Sequence, residues 1–474
     1  MKTYLLAISS IVVLAMTACN SNSENNDEGQ LLAFPSAQGA GAKTVGGRYG
    51  RVIEVTNLKE SGIGSFREAC ESNESRTVVF RVGGTIDLKG KDIIIQNDFI
   101  TIAGQTAPGD GIQIKNGGIS IRANEVIVRY LRIRPGKAHS GVCALNIKSP
   151  NRYTRKKNII VDHVSAFWGV DETMNAGSFS DNVTMQWSII AEGLHCSIYT
   201  GGSKGENWEP CKRINGENIW AHSRGSMISE DSRNISFHHN IIYRNYKRNP
   251  LIQSSDIDAV NNVIVNYQYQ VYVIPYKAKV RANFIGNYFR SYRHIRPPIR
   301  VYDSNNGYDS NSSVYYKNNY DAFFRITNNE KETNIRILHP SLKNNDTDGH
   351  VKDRVLPHEF APIIKEDVHQ AYILVLAKAG AIYPRRDQAD TRVIKFIRTG
   401  KAPKGFVNDP SEVGGWPVLE GATPLLDSDH DGIPDSWEIS KELDPYNSKD
   451  RNNKNLNHEG YTNLEVYLNS LVDK

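Results

Sequence analysis

The chain has few cysteines, no long apolar run after its first residues and no strong charge of one sign. It holds 5 Cys in 474 residues, and 57 Lys and Arg stand against 52 Asp and Glu, a net charge of +5. With 39% hydrophobic residues and 37 Gly, this composition excludes a disordered tail, a collagen-like repeat and a polytopic membrane protein. No CxxC pair suggests zinc. No basic run interleaved with aromatic residues marks a nucleic-acid-binding face, so we expect no nucleic-acid partner.

The first 19 residues have the pattern of an export signal. Lys2 precedes an apolar run from Tyr4 to Met16 that is too short for a stable transmembrane span. The small residues before Cys19 resemble a bacterial lipoprotein signal, in which Cys19 is acylated and becomes the new N-terminus. An ordinary cleaved signal peptide is the alternative. Asn20 to Gln30 is polar and acidic without periodicity, and residues 20–32 predict a flexible tether. We therefore expect an exported outer-membrane lipoprotein, on the cell surface or in the periplasm, that touches the membrane only through this lipid.

The four remaining cysteines face an oxidising compartment if the chain is exported, and paired thiols there persist as disulfides. Cys196 and Cys211 stand in one loop-like stretch. A local bridge between them is one pairing that the sequence allows, and the connectivity stays open.

Short strands dominate residues 95–325, and they recur with a regular spacing. Each carries a small polar residue just before an apolar pair. The residues at this position are Ser165, Ser188, Asn240, Asn262 and Asn287. The strands recur about every 22–25 residues, with one longer insertion. Such a period is typical of a solenoid whose stacked polar side chains form hydrogen bonds from coil to coil. We predict an all-β fold, a right-handed parallel β-helix over residues 33–415, with the insertion between Glu192 and Arg233 leaving as a loop. A β-sandwich is the alternative, but its hairpin signals are sparse here.

Residues 416–474 predict a small calcium-binding appendage. The segment DSDHDGIPDSWE matches the twelve-residue EF-hand loop, with Gly432 at the sharp turn. The predicted ligands are Asp427, Asp429, Asp431, Ile433 through its backbone carbonyl, Asp435 and Glu438. A helical pattern follows the loop, so we expect a segment packed at one end of the solenoid that is structural and not catalytic. An acidic linker is the alternative.

Four ordered motifs resemble the pectate lyases of the first polysaccharide-lyase family, particularly a branch common in Bacteroidetes. The motifs are AFPSAQGAGAKTVGGRYGRVIEVTNLKESGIGSFREAC, ITIAGQTAPGDGI, NIIVDHVSAFWGVDE and FHHNIIYRNYKRNP. The resemblance covers nearly the whole chain from Ala33. It implies a β-helix that cleaves α-1,4-linked galacturonan by calcium-assisted β-elimination and releases 4,5-unsaturated uronates. The expected partner is therefore an acidic polysaccharide, the expected cofactor is Ca²⁺, and we expect a monomer.

The resemblance also assigns roles to residues. Arg248, in the R-x-P of KRNP, matches the arginine that takes the C5 proton, although a guanidinium is an unusual base because it is normally always protonated. Asp171 matches an acidic calcium ligand, and Glu172 beside it is a second candidate. Arg224 stands where the family carries a substrate-binding lysine, and an arginine can clamp a carboxylate with two hydrogen bonds. Trp168 and Gln253 are assigned to substrate binding as well.

Three positions depart from the family pattern. Cys143 stands where relatives commonly have an acidic calcium ligand, and Asn175 where the broader family has another carboxylate. Gln253 replaces the second arginine of R-x-P-x-x-R. Since fewer anionic ligands bind calcium more weakly, either the substrate supplies part of the site, the preferred uronate differs, or catalysis has decayed.

Two other classes of protein remain open. A non-catalytic glycan-binding lipoprotein would keep a groove of aromatic and basic residues while losing calcium ligands. The groove residues in that interpretation are Trp168, Trp187, Arg293, Arg296 and Arg300. A polygalacturonase-like hydrolase would need clustered aspartates to activate water, and the strands carry no such arrangement. The sequence does not identify the uronate polymer, nor whether cleavage is endo or exo.

Overall fold

The computed structural model describes residues 31–201, 210–214, 216–275, 278–291, 298–301, 312–322, 326–327, 351–353 and 356–473. The predictions for the signal, for most of the tether and for acylation of Cys19 lie outside these residues. Arg293 and Arg296 of the glycan-binding interpretation lie outside them too.

Three long sheets make up the body, and nearly all their strands pair in parallel. Within the described residues, the first sheet has eleven strands: Arg51–Val55, Arg76–Phe80, Ile100–Ala103, Val126–Arg129, Lys156–Asp162, Ser180–Gln186, Arg233–His238, Asp256–Val260, Arg281–Ile285, Ser312–Lys317 and Val351–Asp353. The second sheet has ten in the same residues: Gly84–Asp87, Ile112–Lys115, Arg132–Arg134, Ser165–Phe167, Ile189–Ala191, Ile241–Tyr243, Val263–Val265, Tyr288–Arg290, Tyr320–Asp321 and Ile326–Thr327. The third sheet has eight there: Ile93–Ile95, Ile119–Ile121, Leu145–Ile147, Met174–Ala176, Met227–Ile228, Leu251–Gln253, Val271–Ile274 and Ile299–Val301.

The chain visits the three sheets in turn, so that each circuit forms one coil of a parallel β-helix. The predicted fold class is confirmed. Right-handed crossovers are the rule between parallel strands of one sheet. One coil cannot enclose a core, and stacking supplies it. Val126, Ile159, Val183, Ile235 and Ile257 stand in register on successive strands of the first sheet and are fully or almost fully buried. Each such side chain stabilises the fold by roughly 1.5–3 kcal/mol.

A ladder of polar side chains runs through the interior beside the second sheet. The side-chain oxygens of Asn240, Asn262 and Asn287 each accept a hydrogen bond, at 2.9–3.0 Å, from the backbone N–H at the matching position of the preceding coil. Asn319 extends the ladder by one further coil. The predicted ladder is confirmed here. The prediction that Ser165 belongs to it is wrong, because the matching position in that coil is one residue earlier, at Val164. Ser188 accepts from the N–H of Val164, while the Ser165 hydroxyl donates to Asp390.

Replacing Asn262 with alanine should destabilise the solenoid by about 2–6 kcal/mol. The change leaves the N–H of Asn240 and the carbonyl of Phe237 buried without their partner, and each unsatisfied group costs about 1–3 kcal/mol. Urea denaturation measures the loss, with Asn455→Ala on the exposed surface as the control. Equal stability of the two variants would show that the ladder does not contribute to stability.

Helices cover the outside of the solenoid. Helix α1 (Phe66–Glu71) follows the first strand, and α2 (Val368–Lys378) and α3 (Gln388–Thr399) pack their apolar faces on the second sheet. Asp367 and Asp387 cap the two longer helices by accepting backbone N–H bonds. Helices α4 (Asp435–Ser440) and α5 (Asn463–Ser470) lie against the early strands of the first sheet. No helix among the described residues is long and apolar enough to cross a membrane.

In the part that the structure describes, the insertion after Glu192 leaves the coil as a loop, as predicted. It contains an antiparallel hairpin of two strands, Pro210–Ile214 and Glu217–Trp220. A disulfide joins Cys196 to Cys211, whose Cα atoms are 5.5 Å apart. The insertion returns to the solenoid at Arg224, immediately before a strand of the third sheet. This return brings residues far apart in sequence onto the outer face of that sheet.

Candidate functional site

The candidate site lies where three consecutive strands of the third sheet begin. Glu172, Arg224 and Lys247 are aligned by parallel bridges between neighbouring coils. Arg248 follows Lys247 directly. The solenoid therefore brings together an acidic pair and two predicted arginines from segments that are separated by the disulfide-bonded insertion.

Charge pairing links the two arginines to the acidic pair. The guanidinium of Arg248 forms an ion pair with Glu172. Arg224 lies 3.6 Å from Glu172 and 3.9 Å from Asp171. The Glu172 side chain is 4% exposed, the Arg248 side chain 21% and the Asp171 side chain 29%. Asp171 thus offers the most accessible carboxylate, while Glu172 holds the arginines in place.

His222 is a partner of Asp171 that the sequence did not single out. Its Nε2 lies 2.7 Å from Asp171 Oδ1. Burial lowers the pKa of His222 to about 4, despite the hydrogen bond to the carboxylate. Burial would raise the pKa of Asp171, but the bond from His222 and the nearby arginines lower it overall. A neutral imidazole therefore donates Nε2–H to an ionised Asp171 and fixes its orientation.

Two of the three residues that depart from the family pattern, Cys143 and Asn175, touch the acidic pair. Cys143 Sγ and carboxylate oxygens of Asp171 and Glu172 lie within 4.8 Å of one another. The Asn175 amide donates to Glu172 at 3.3 Å and contacts Cys143 Sγ at 3.8 Å. Burial, with Asp171 nearby, raises the pKa of the Cys143 thiol, so the thiol is neutral. Two carboxylates fit a hard cation that prefers oxygen, and a neutral thiol does not.

The assignment of Trp168 to substrate binding is wrong. The residue is 0% exposed because it follows a second-sheet strand and packs edge-on against Trp416, with ring centroids 5.5 Å apart. Its indole N–H donates to Glu192. Trp187 also lies away from the third sheet, stacked on His239 with Lys378 above it. Neither indole lines the site, and both stabilise the packing of the outer layer.

Gln253 ends the strand that follows Arg248, and its side chain is partly exposed. Its substrate-binding role stays a prediction. Next to Arg248 in the chain, the structure adds basic and aromatic residues that the sequence did not single out. Lys247 Nζ lies 5.3 Å from the ring centre of Tyr246 and 4.9 Å from that of Tyr269. The run YRNYKRNP contains two of these residues, and its alternating aromatic and basic pattern was the available signal.

The predicted calcium loop forms a second cluster of carboxylates, at the other end of the chain. Ligand oxygens of Asp427, Asp429 and Asp431 lie within 4.8 Å of one another, and Asp431, Glu438 and Asp450 form an overlapping group. Asp435 is not in either group. Its two oxygens accept hydrogen bonds from the N–H and hydroxyl of Ser428 at 2.7 Å, and its role as a calcium ligand stays a prediction. The Ile433 side chain is buried, and the role of its carbonyl stays a prediction.

Comparison with curated proteins finds close full-length similarity. A probable pectate lyase C of Aspergillus fumigatus is 34% identical over 446 residues, which cover 93% of this chain and 94% of the relative. Probable pectate lyases C of Neosartorya fischeri and Emericella nidulans are 35% and 33% identical, and each alignment covers 93% of this chain. No protein-family model matches the chain.

Solved structures are more distant. A pectate lyase from Bacillus sp. N165 in complex with trigalacturonate has a TM-score of 0.45 and 18% identity, with 72% of this chain and 98% of that chain covered. The thermostable pectate lyase PL 47 has a TM-score of 0.48 and 17% identity, with 73% and 97% covered.

Proposed function

The chain belongs to the pectate lyase family, and on that premise we propose that it is a polysaccharide lyase that cleaves α-1,4-linked galacturonan by β-elimination. The observation that carries the residue assignments is the cluster of Asp171, Glu172, Arg224 and Arg248 on one face of the third sheet. The cluster offers what the reaction needs, namely two carboxylates that can ligate a cation, one guanidinium group for a substrate carboxylate and a second for the C5 proton.

Arg248 is the residue that we assign to the C5 proton. Burial lowers the pKa of its guanidinium to about 10, against the pull of Asp171. This shift makes the neutral guanidine more accessible than it is for an arginine in water. In the elimination, Arg248 takes the proton from C5 and the C5–H electron pair becomes the C4–C5 double bond. The C4–O bond breaks, and the glycosidic oxygen leaves with its electrons and takes a proton from water.

Asp171 and Glu172 are the residues that would hold Ca²⁺, since they supply the oxygen ligands of the cluster. When bound there, the ion supplies positive charge next to the uronate carboxylate and so makes the C5 proton more acidic. His222 keeps Asp171 ionised and oriented. Arg224 is placed to clamp a substrate carboxylate with its planar guanidinium.

A lyase assay tests this proposal. Residues 30–474 should release 4,5-unsaturated uronates from galacturonan, followed by the absorbance of the new conjugated double bond. EDTA should lower the rate at least 100-fold and Ca²⁺ should restore it, because an oxygen-liganded cation neutralises the uronate. Circular dichroism in EDTA checks that the chain stays folded. A panel of uronic-acid polymers in the same assay identifies the substrate.

A non-catalytic glycan-binding protein is the second candidate, and one observation favours it. The cluster has a neutral thiol at Cys143 and an amide at Asn175 beside its carboxylates, so its ligand set for calcium is thin. That candidate requires retention on immobilised galacturonan with no unsaturated product from any polymer of the panel. Acylation of Cys19, the outer-membrane location, the monomeric state and the Bacteroidetes branch stay predictions from the sequence.

A further inference from the structure

The C-terminal carboxylate cluster has a member that the EF-hand pattern does not assign. Asp427, Asp429, Asp431 and Glu438 come from the loop, whereas Asp450 comes from a 3₁₀ turn, Asp450–Asn452, twelve residues beyond it. Asp450 takes part in the group that Asp431 shares with Glu438. Asp435, which the pattern does assign, is bonded to Ser428 instead.

Carboxylate oxygens of this cluster are buried without hydrogen-bond partners. They are one oxygen each of Asp429, Asp431 and Asp450 and both oxygens of Glu438. Asp431 and Glu438 are 0% exposed and Asp450 is 6% exposed. A buried carboxylate without a partner costs several kcal/mol, and neighbouring carboxylates repel one another. Such an arrangement is stable when a cation lies between the oxygens.

Among the described residues, Arg81 is the basic side chain that forms an ion pair with these carboxylates. Its guanidinium lies 3.7 Å from Asp427, and the same side chain also pairs with Glu54 at 3.3 Å. One arginine does not balance five carboxylates. The missing positive charge is that of a multivalent cation, and an all-oxygen set with a glutamate at the last loop position favours Ca²⁺ over softer metals and over the smaller Mg²⁺.

The cluster also lies where the two ends of the chain meet. His430, inside the loop, contacts Glu54 of the first strand at 2.9 Å. Ile433 packs with Leu464 and Leu468 of α5 and with Ala103 of the first sheet. Beyond the loop, Arg48 pairs with Glu465 of α5 at 2.7 Å. Any change in the loop is therefore transmitted to the contact between the C-terminal helices and the first coils.

We propose that Asp427, Asp429, Asp431, Glu438 and Asp450 bind one Ca²⁺, and that this ion fastens the C-terminal helices to the first coils of the solenoid. Asp450 is a ligand in this site. Asp435 stabilises the loop by accepting the two hydrogen bonds from Ser428. Removal of the ion leaves the carboxylates to repel one another, which loosens α4 and α5 from the first sheet. The site acts on stability and not on the chemistry, because its residues are distinct from those of the third-sheet cluster.

Calorimetry and thermal unfolding of residues 30–474 test the proposal, with CaCl₂ as the probe and no oligosaccharide present. All variants carry Asp171→Asn and Glu172→Gln, so that calcium binding at the third-sheet cluster does not contribute. We expect one equivalent of Ca²⁺ to bind and to raise the melting temperature by roughly 3–10 °C. Asp450→Asn should weaken Ca²⁺ binding at least tenfold and remove most of this rise. The matched control Asp435→Asn, in the same segment, should keep both.

Limited proteolysis gives a second readout that does not depend on the variants. EDTA should expose sites within residues 427–473 to cleavage while the solenoid stays intact, and CaCl₂ should protect them. Two results would overturn the proposal: equal weakening by Asp435→Asn and Asp450→Asn, or no effect of Ca²⁺ on melting and proteolysis. If Asp450→Asn fails to fold, the proteolysis pattern of the unsubstituted chain in EDTA and in CaCl₂ still decides whether calcium fastens the C-terminal helices to the solenoid.

Discussion

Replacing Arg248 with alanine or with lysine is expected to abolish the formation of unsaturated uronates, with a loss of about 10²–10⁴-fold or more in kcat. Alanine removes both the base and the partner of Glu172. Lysine keeps a positive charge, but its ammonium is compact. It cannot form a hydrogen bond to Glu172 and at the same time face C5, as a planar guanidinium can. The rate of double-bond formation at saturating galacturonan measures the effect.

The control for this experiment is Arg281→Lys, on the first sheet. Arg281 is a solenoid arginine that pairs with Asp256 at 2.7 Å and is partly exposed, so the same substitution is made away from the site. Its rate should stay within about twofold of the unsubstituted chain, because lysine keeps a positive charge near Asp256 and this pair lies on a different sheet from the site. Circular dichroism confirms folding of each variant. If both Arg248 variants retained most of the activity, Arg248 would not be the base.

The solenoid could be predicted from the sequence because its repeat is local. Short β-branched runs and stacked Asn residues recur with each coil, and a coil pairs with its neighbours along the chain. The error at Ser165 shows the limit of that reasoning. Ser165 and Val164 both precede apolar residues, and only the register with Ser188 decides which one faces the interior.

Side-chain direction was the second limit. Trp168 follows the strand Ser165–Phe167 and precedes the acidic pair by only a few residues. The chain turns between the second and third sheets at this point, and Trp168 stays under Trp416 while Asp171 reaches the third sheet. Contacts with the region after residue 356 decide this, and no local pattern contains them.

The site could be predicted only where a motif carries it. Arg248, Asp171, Glu172 and Arg224 came from the resemblance, and the structure brings all four together. His222 did not come from the resemblance, because a histidine between small residues has no distinctive pattern. Its hydrogen bond to Asp171 also spans the insertion, so no local pattern contains it. Asp450 was missed for a related reason. It lies beyond the loop whose spacing defines the EF-hand, and only the folded turn brings it to the other carboxylates.

The two carboxylate clusters should bind calcium in different ways. The C-terminal cluster has five carboxylates and one arginine, so its charge favours a cation without further help. The third-sheet cluster has two carboxylates, two arginines and a neutral thiol. Its arginines already neutralise the carboxylates. A calcium ion gains enough negative ligands there only when a uronate carboxylate arrives as well.

Calcium and substrate should therefore bind to the third-sheet cluster together. Saturating substrate must tighten calcium by the same factor by which calcium tightens substrate, because the two are thermodynamically linked. We expect calorimetry on the Asp427→Ala, Asp431→Ala double variant, in which the C-terminal site is silenced, to show little calcium binding alone. Adding oligogalacturonate should produce clear binding, with coupling of roughly 5–150-fold.

Cys143→Asp in this double variant should strengthen calcium binding without substrate by at least tenfold. Sγ lies with the oxygens of Asp171 and Glu172, so an aspartate there adds a charged oxygen ligand to a set of two, and calcium affinity rises with ligand charge. The matched control is Cys143→Ser, which changes the thiol without adding charge and should leave calcium binding unchanged. Tight binding by the double variant without any oligosaccharide would mean that other ligands complete the site and that Cys143 does not stand at a ligand position. Equal gains from serine and aspartate would point to altered packing at residue 143, because only the aspartate carries the charge that the coupling requires.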